Sequence, residues 1–341
     1  MSREKTVGDM RSSLSLKAGR YRRMLHRPAN KAEVFEDKPR SLWGDALRRL
    51  LKNRLSMMGL FVFCLLLFLA AFGPMLAPYG YMVQDLGHVR ELPSSAHWLG
   101  TDELGRDFLS RVLWGARTAV FVAFLGSSMS LVLGVILGAS SAYLGGWVEF
   151  SVSRLTDVVM DIPSVLLAVL VAASLKEPIS LWTEQMYNNT HLSIFAETTY
   201  IDYVVVFGAL SLVSWPGYAR LIRGQILSLR QEIYVQAAIA EGLKPRQIIV
   251  RHLLPNALGS IVVAFTFNLA GALVLESSLS YLGVGVQPPR PSWGSMIAEN
   301  SYAWRFRPWL TAVPALVLGI ASLGINFLGD GLNDALNPRS K

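Results

Sequence analysis

Residues 55–72 read LSMMGLFVFCLLLFLAAF, a run that contains no charged side chain and no histidine. An α-helix rises about 1.5 Å per residue, so roughly 20 apolar residues cross the hydrocarbon core of a bilayer. With its flanks the run extends over residues 55–77, which is long enough. Inside lipid the backbone N–H and C=O groups must be satisfied within the segment, so the run predicts a membrane-spanning helix.

Five further apolar stretches follow, at about residues 118–143, 155–175, 203–222, 257–284 and 308–329. The composition agrees with so many spans, because 52% of the 341 residues are hydrophobic and only 16% are charged. A soluble domain carries roughly a quarter charged residues. The first run also follows more than fifty polar and basic residues, which is too many for the n-region of a signal peptide. We therefore expect an all-α membrane protein with six transmembrane helices.

The positive charge of the chain is concentrated before the first span. Residues 1–54 contain fifteen Lys or Arg and six Asp or Glu, whereas the whole chain has a net charge of +8. Beside a membrane span, such an excess favours a cytoplasmic tail attracted to anionic membrane lipids over a nucleic-acid-binding tail. A second basic cluster, between the fourth and fifth spans, contains Arg220, Arg223, Arg230, Lys244, Arg246 and Arg251. With six alternating spans, both termini are expected in the cytoplasm.

Just before the first span, residues 41–53 place leucines at helical spacing opposite Arg48, Arg49 and Lys52. This pattern predicts an amphipathic helix that lies on the membrane surface. The alternative is that these residues extend the first spanning helix toward the N-terminus.

Known catalytic and metal-binding patterns are absent from the sequence. The single cysteine, Cys64, lies in the first span, and the five histidines are scattered without the spacing of metal ligands. The chain has no G-x-x-x-x-G-K-[ST] phosphate-binding loop, no nucleophile elbow and no H-E-x-x-H. We therefore expect no catalytic residue, no metal and no bound cofactor on this chain.

The most informative polar segment is residues 232–256, EIYVQAAIAEGLKPRQIIVRHLLPN. Its pattern predicts a short helix over residues 233–241 that ends at Gly242 in a left-handed cap. Pro245 is suited to the first turn of a second helix, which we expect to end by Pro255. A helix-turn-helix between two membrane spans is suited to docking on another protein.

This segment resembles a known family. Gln236, Ala237 and Ala238, followed by Gly242 and by Leu254–Pro255, are similar to the EAA loop of ABC importer permeases. The resemblance implies that the loop forms coupling helices that sit in a groove of an ATPase subunit. Gln236 stands where the family pattern has Glu, which removes one charge but not the helix.

Two further segments strengthen the resemblance. Residues 97–107, HWLGTDELGRD, resemble the signature that follows the first span in dipeptide and oligopeptide permeases. Residues 276–294, ESSLSYLGVGVQPPRPSWG, resemble the end of the fifth span in the same group. The likeness covers roughly residues 42–338 and is strongest to the "C" permease of the dipeptide, oligopeptide and nickel importers. The N-terminal tail and the loop at residues 176–202 are longer than is usual there.

The resemblance implies both a fold and a set of partners. The fold is the ABC type-1 importer permease fold, in a multi-pass protein of the bacterial cytoplasmic (inner) membrane. The partners are a second homologous permease, one or two P-loop ATPase subunits that bind ATP and Mg, and an extracytoplasmic solute-binding protein. Di- or oligopeptides are the first expectation for the substrate, with nickel chelates, glutathione and oligosaccharides left open.

Several polar residues lie in or near apolar helices and need a reason to be there. A charge at the centre of a span costs about 2.5–3.5 kcal/mol, so Glu276 is expected to face the helix bundle, a water-filled path or the interface. Asp161 and Asn268 raise the same question, and each of the three either lines the path or fixes helix packing. The group Asp102, Gly105, Arg106 and Asp107 is expected to form a salt-bridged extracytoplasmic cap and not a catalytic pair.

These features predict the following order of segments. A basic cytoplasmic tail (1–40) precedes the interfacial helix and first span (41–77), and an extracytoplasmic loop (78–112) follows. The transmembrane core (113–331) contains the cytoplasmic coupling loop (224–256), and a short cytoplasmic tail (332–341) ends the chain.

Two other classes of membrane protein fit the sequence less well. A secondary transporter driven by an ion gradient predicts inverted repeats and charged residues near the bilayer midplane. The sequence shows no clear internal repeat and few such charges. A membrane anchor or signalling protein predicts a large soluble domain, and the sequence contains none.

Overall fold

The computed structural model describes residues 42–192 and 198–336. The predicted tail at residues 1–40 and the last five residues of the predicted tail at 332–341 lie outside the described residues. The chain divides into two units between Gly44 and Asp45, and only residues 42–44 of the first unit are described.

Most of the described residues are helical. The helices are α1 (Leu42–Lys52), α2 (Arg54–Leu76), α3 (Phe108–Leu144), α4 (Gly146–Asp161), α5 (Ser164–Thr190), α6 (Thr198–Leu229), α7 (Ile233–Ala240), α8 (Pro245–Tyr281), α9 (Trp293–Asn300) and α10 (Trp309–Leu336). Within the described residues, six of them are long and apolar enough to cross a membrane: α2, α3, α5, α6, α8 and α10. The prediction of an all-α protein with six spans is confirmed.

The third span differs from the sequence prediction in position and length. Residues 155–175 do not form one helix, because the chain breaks at Ile162, whose backbone is extended (φ −89°, ψ 131°). The following Pro163 causes the break, since a proline disfavours helical backbone at the residue before it. The apolar span is α5, and it continues to Thr190 through residues predicted to be a loop. The end of this span was predicted too early because the residues after Lys176 are polar. These polar residues end the apolar run but do not end the helix.

The amphipathic segment before the first span is a separate helix. Asn53 has extended backbone (φ −87°, ψ 115°), and its side chain accepts hydrogen bonds from the N–H groups of Leu55 (3.0 Å) and Ser56 (3.4 Å). This N-cap starts α2 and separates it from α1. The alternative of one continuous helix is therefore wrong. Leu50 is buried beside Leu328 of α10, while Leu47 and Leu51 of α1 are exposed.

Small residues allow the spanning helices to approach closely. A Cβ atom on Gly59 of α2 would lie 2.5 Å from the backbone of α10 at Gly324, and one on Gly138 of α3 would lie 2.5 Å from the carbonyl of Ala219 in α6. Glycine at such contacts lets helix backbones pack at short range, which is how helices associate within lipid. These contacts fix α2 against α10 and α3 against α6.

Candidate functional site

The helix-turn-helix at residues 230–256 is held against the spans by a few buried apolar side chains. Val235 and Ala238 of α7, with Ile248 and Leu253 of α8, are buried in one cluster that includes Ile222 of α6. The predicted helix over residues 233–241 is confirmed, as α7. Because Ala238 faces this cluster, it anchors the helix and leaves other side chains to form the outer surface.

The outer surface of α7 is apolar. Ile233 is 86% exposed, and Tyr234 and Ile239 are also exposed, as is Ala237. Exposed apolar side chains on a helix outside the spans indicate a surface that another protein covers. Ile233, Tyr234 and Ile239 were not among the predicted coupling residues, although apolar side chains on both faces of so short a helix were visible in the sequence.

Gly242 shapes the turn after α7. Its φ is +78°, the left-handed region predicted for it, and no atom lies within 4 Å of the position that a Cβ would take. Only the backbone conformation therefore disfavours other residues at this position. Gln236, which stands where the family has Glu, donates a hydrogen bond from Nε2 to the carbonyl of Arg230 (2.9 Å). Its side chain thus closes the turn between α6 and α7.

The second helix does not end by Pro255, as the sequence analysis predicted. It continues through a π-helical segment, Ile249–Leu253, into the fifth span, so that Pro245–Tyr281 is helical without interruption. In the π segment the N–H of Leu254 bonds to the carbonyl of Ile249. This wider turn accommodates Pro255, which has no N–H to donate. Leu254 is half-buried and Pro255 is exposed, and both lie in a helix that runs from the turn into the membrane span.

On the far side of the spans, the loop between α2 and α3 contains a buried charge network. Asp102 Oδ2 accepts hydrogen bonds from Arg106 Nε and Arg111 Nη1, both at 2.6 Å. Arg111 also donates to Glu299 of α9 (2.8 Å), as does Arg106 (3.2 Å). Asp102, Arg106 and Arg111 are all buried. The sequence pattern identified Asp102 and Arg106, but Arg111 and Glu299 join them only through the packing of α3 against α9.

Asp107 and Gly105 support the same loop. Asp107 caps α3 by accepting hydrogen bonds from the N–H (2.8 Å) and Oγ (2.6 Å) of Ser110, and its other oxygen lies 2.9 Å from His97 Nδ1. Gly105 has φ +71°, and a Cβ there would clash with the carbonyl of Asp85. Only glycine fits this position.

The three polar residues of the apolar helices are placed differently from one another. Glu276 is fully buried and accepts hydrogen bonds from Ser280 (2.8 Å), Ser292 (2.9 Å) and Ser277 (3.2 Å). Asn268 is half-buried with no hydrogen bond to its Oδ1, and Asp161 is exposed at the end of α4. Among the described residues, no hydrogen bond or ion pair joins Asp161 or Asn268 to Glu276.

The described parts of the chain contain no group of three or more His, Cys, Asp or Glu side chains that could hold a metal ion. At one end of the helix bundle, α7 presents exposed apolar side chains and α8 leads from the turn after it into the fifth span. At the opposite end, buried ion pairs hold the loop between α2 and α3 in place.

Comparison with known proteins identifies the family. Residues 130–341 match the family described as "Binding-protein-dependent transport system inner membrane component", and residues 41–93 match the "N-terminal TM domain of oligopeptide transport permease C". The "Oligopeptide transport system permease protein OppC" of Bacillus subtilis (strain 168) is 35% identical over 311 residues, which are 91% of this chain and 94% of that protein.

Other relatives carry different substrate names. The "Dipeptide transport system permease protein DppC" of Alkalihalophilus pseudofirmus is 33% identical over 301 residues, which are 88% of this chain and 91% of that protein. The "Glutathione transport system permease protein GsiD" of Pectobacterium atrosepticum is 36% identical over 313 residues, which are 90% of this chain and 95% of that protein. Among solved structures, a chain of the inward-facing MetNI methionine ABC transporter matches with a TM-score of 0.48 and 18% identity. That match covers 66% of this chain and 96% of the other.

The family match spans most of the transmembrane core, and the relatives are aligned over nearly the whole chain. Systems of this kind combine permeases with ATPase subunits and a binding protein, which supports an ATP-driven importer over the gradient-driven alternative. The chain therefore belongs to the family of inner-membrane components of binding-protein-dependent transport systems, and it is a multi-pass permease subunit of an ABC importer.

Proposed function

We propose that this chain pairs with a second, homologous permease and that peptides, di- or oligopeptides first, cross the membrane between them. The proposal is supported by the names of the relatives, which are permeases for oligopeptides, dipeptides and glutathione. Glutathione is itself a short peptide, so the three names share one chemistry.

Both termini lie in the cytoplasm in this proposal. Six spans place the two ends of the chain on the same side, and the basic residues of the N-terminal tail and of the α6–α8 connection favour the cytoplasmic side. The segment order predicted from the sequence is kept, with the coupling loop shortened at its start because α6 continues to Leu229. The loop between α2 and α3 is then extracytoplasmic.

The observation that carries the coupling role is the apolar outer surface of α7. Its exposed side chains, Ile233, Tyr234 and Ile239, provide apolar area for the groove of an ATPase subunit that binds ATP and Mg. The turn at Gly242 sets the direction of the chain after α7, and the uninterrupted α8 transmits a displacement of the turn to the fifth span. Gln236 bonds to the turn before α7, Ala238 anchors the helix and Ala237 adds to its outer surface, while Leu254 and Pro255 lie where the π segment joins the span.

Transport then follows an alternating-access mechanism. Closure of the two ATPase subunits upon ATP displaces α7 and α8, and the spans rock so that the path between the permeases opens on the other side of the membrane. An extracytoplasmic binding protein delivers the peptide onto the loops of that side. Glu276 is assigned to helix packing because its carboxyl group is enclosed by serine hydroxyls and has no open side. Asn268 retains an unpaired Oδ1 and is the better candidate for the path.

An affinity pull-down from native membranes tests the proposal. The tagged chain is solubilised in detergent, and the co-purifying proteins are identified by mass spectrometry. We expect a second permease, P-loop ATPases and a solute-binding protein. Ile233→Asp and Gly242→Asp should remove the ATPases and leave the second permease bound. Leu86→Asp is the matched control, because Leu86 is equally apolar and exposed but lies on the α2–α3 loop. A chain that purifies alone, or only with itself, would favour a gradient-driven transporter.

A further inference from the structure

The chain leaves helical geometry between α4 and α5. α4 ends at Asp161, Ile162 has extended backbone, and α5 begins at Ser164. Residues 161–165 are all exposed in this chain. Backbone that is not helical is tolerated at membrane depth only where protein covers it or where it faces a water-filled cavity. The depth of this break therefore decides what it can face.

Ion pairs with α6 show how deep the break lies. Lys176 Nζ of α5 lies 3.5 Å from Asp202 Oδ1 in the first turns of α6. Arg220 Nη2 of α6 lies 3.2 Å from Asp157 Oδ1 of α4. Between these two levels α6 carries no charged side chain and rises about 27 Å, close to the roughly 30 Å of a hydrocarbon core. Between Ser164 and Lys176, α5 rises only about 18 Å. The break therefore lies within the core, and α4 completes the crossing.

The break leaves backbone donors of α5 unpaired. Pro163 precedes the helix and makes no side-chain hydrogen bond, and among the described residues no acceptor bonds to the N–H groups of residues 164–166. α6 has a related gap at about this level, one turn from Arg220, because Pro216 has no N–H to donate to the carbonyl of Leu212. Such groups are costly beside lipid and are satisfied by water.

Asp161 adds an unpaired carboxylate to the break. Its side chain is exposed and makes no hydrogen bond or ion pair within residues 42–192 and 198–336. Cations on the same helices have other contacts, since Arg220 pairs with Asp157 and Arg154 lies over the ring of Phe150 (5.4 Å). An ionisable side chain within a span faces the bundle interior or a water-filled cavity, because lipid cannot solvate it.

α8 contributes a polar group at a similar depth. Ala168 of α5 and Leu275 of α8 are buried in one cluster, and the two helices cross the bundle in the same direction. Asp161 and Asn268 each precede these residues by seven positions, so they lie at similar levels. Asn268 Oδ1 has no hydrogen-bond partner among the described residues. A groove of about 370 Å³, which includes Val165 of the first turn of α5, continues along α8 from this level.

We propose that the break between α4 and α5 lines the water-filled path between the two permeases, and that Asp161 attracts the N-terminal ammonium group of the crossing peptide. The inference rests on the proposed function, from which the path and the peptide are taken. It commits to water and substrate at the break and not to a dry contact with the second permease. A dry contact would bury the carboxylate and the unpaired N–H groups, which is costly unless each of them finds a partner.

The first experiment measures whether water reaches the break in the assembled importer. Ser164→Cys is prepared in a Cys64→Ser background, since Cys64 is the chain's one cysteine. Membrane-impermeant methanethiosulfonates are added to inside-out vesicles, so that they approach from the cytoplasmic side. We expect Ser164→Cys to react without nucleotide and to become protected when ATP and vanadate hold the ATPases closed.

Leu170→Cys is the matched control. Leu170 is 62% exposed in this chain and belongs to the same helix, but its side chain points about 120° away from that of Ser164 around the helix axis. It should stay unreactive because it faces lipid. A Ser164→Cys importer that transports but never reacts would overturn the proposal, as would equal reactivity at the two positions.

The second experiment measures the charge at the break. The rates of Ser164→Cys with a cationic (trimethylammonium) and an anionic (sulfonate) reagent are compared. At physiological salt, Asp161→Asn should lower the ratio of the cationic to the anionic rate by roughly threefold. Glu177→Gln is the matched control, because Glu177 is a carboxylate of α5 about 20 Å along the helix from Ser164, well beyond a Debye length. An unchanged ratio in Asp161→Asn would refute an attractive charge at the break.

The third experiment tests the contact with the substrate. ATP-driven uptake of trialanine, whose only cation is its N-terminal ammonium group, is measured at saturating binding protein. Asp161→Asn should lower uptake by about threefold while ATP hydrolysis stays unchanged, and Asp161→Glu should restore uptake. Uptake that is the same in Asp161→Asn and wild type would show that the ammonium contact is wrong, even if the break is open to water.

The outcomes separate this inference from the proposed function. If the wild-type importer takes up no trialanine with ATP, the proposed function itself fails. If it takes up trialanine but Ser164→Cys is unreactive in every nucleotide state, the proposed function stands and the break does not line the path.

Discussion

Replacing Asp102 by Asn should destabilise the protein strongly, although the two side chains have nearly the same shape. Asp102 Oδ1 accepts hydrogen bonds from the N–H groups of Leu104 (2.9 Å) and Arg106 (3.0 Å). Its Oδ2 accepts from Arg106 Nε and Arg111 Nη1, both at 2.6 Å. An asparagine has one acceptor and one donor group, so in either orientation its NH₂ faces two N–H donors.

The expected loss follows from the burial of these charges. Removing one partner of a buried ion pair costs about 3–5 kcal/mol, because the other charge remains buried without compensation. Arg111 and Arg106 keep their contacts with Glu299, which is 23% exposed and offsets part of the loss. We therefore expect Asp102→Asn to lower the free energy of unfolding by about 3 kcal/mol.

The neighbouring residue provides a matched control. Glu103 also pairs with an arginine, Arg90, at 2.8 Å, but both side chains are exposed, by 41% and 46%. Water and salt screen such a pair, so Glu103→Gln should leave the unfolding midpoint unchanged. Both variants can be measured in detergent micelles by tryptophan fluorescence during denaturant unfolding. Equal midpoints for the two variants would refute the reasoning, because burial would then make no difference to the value of the charge.

Two further predictions concern a titrating pair and a helix contact. Asp85 raises the pKa of His88 above its ordinary value of 6.5, chiefly through their hydrogen bond, and His88 lowers the pKa of Asp85. The stabilisation by the pair is complete below the ordinary pKa of histidine and is lost as the pH rises through the raised pKa of His88. It is also lost in acid, as the pH falls through the lowered pKa of Asp85. Asp85→Asn should return the NMR titration midpoint of His88 toward 6.5, and an unchanged midpoint would exclude the pairing. Gly59→Ala should lower the thermal unfolding temperature, because the added Cβ lies 2.5 Å from the backbone of α10 and overpacking costs about 1–3 kcal/mol. Gly319→Ala, with nothing within 4 Å of its Cβ position, should not; equal losses in both would contradict the close contact.

The sequence was sufficient to predict an all-α membrane protein with six spans. Hydropathy is a sum over neighbouring residues, so this prediction needs no tertiary information. It was also sufficient for the short helix at residues 233–241 and the left-handed cap at Gly242, because capping depends on a few adjacent residues. The predicted ends of the third span were wrong because they, too, were taken from hydropathy. Hydropathy detects lipid exposure, whereas the end of a helix depends on backbone geometry, as at Ile162 before Pro163.

The tertiary structure alone decided which distant residues share a site. Arg111 and Glu299 are separated by 188 positions along the chain, yet they complete the network around Asp102. The sequence could not assign Glu276, because only the packing of α8 against α9 brings Ser292 to its carboxyl group. In α7, the sequence drew attention to the alanines, whereas packing buries Ala238 and exposes Ile233. Local sequence patterns thus determined whether a segment is a membrane span, a short helix or a turn. Which charges meet and which apolar faces remain open depend on helix contacts between residues far apart in sequence, and no local pattern encodes them.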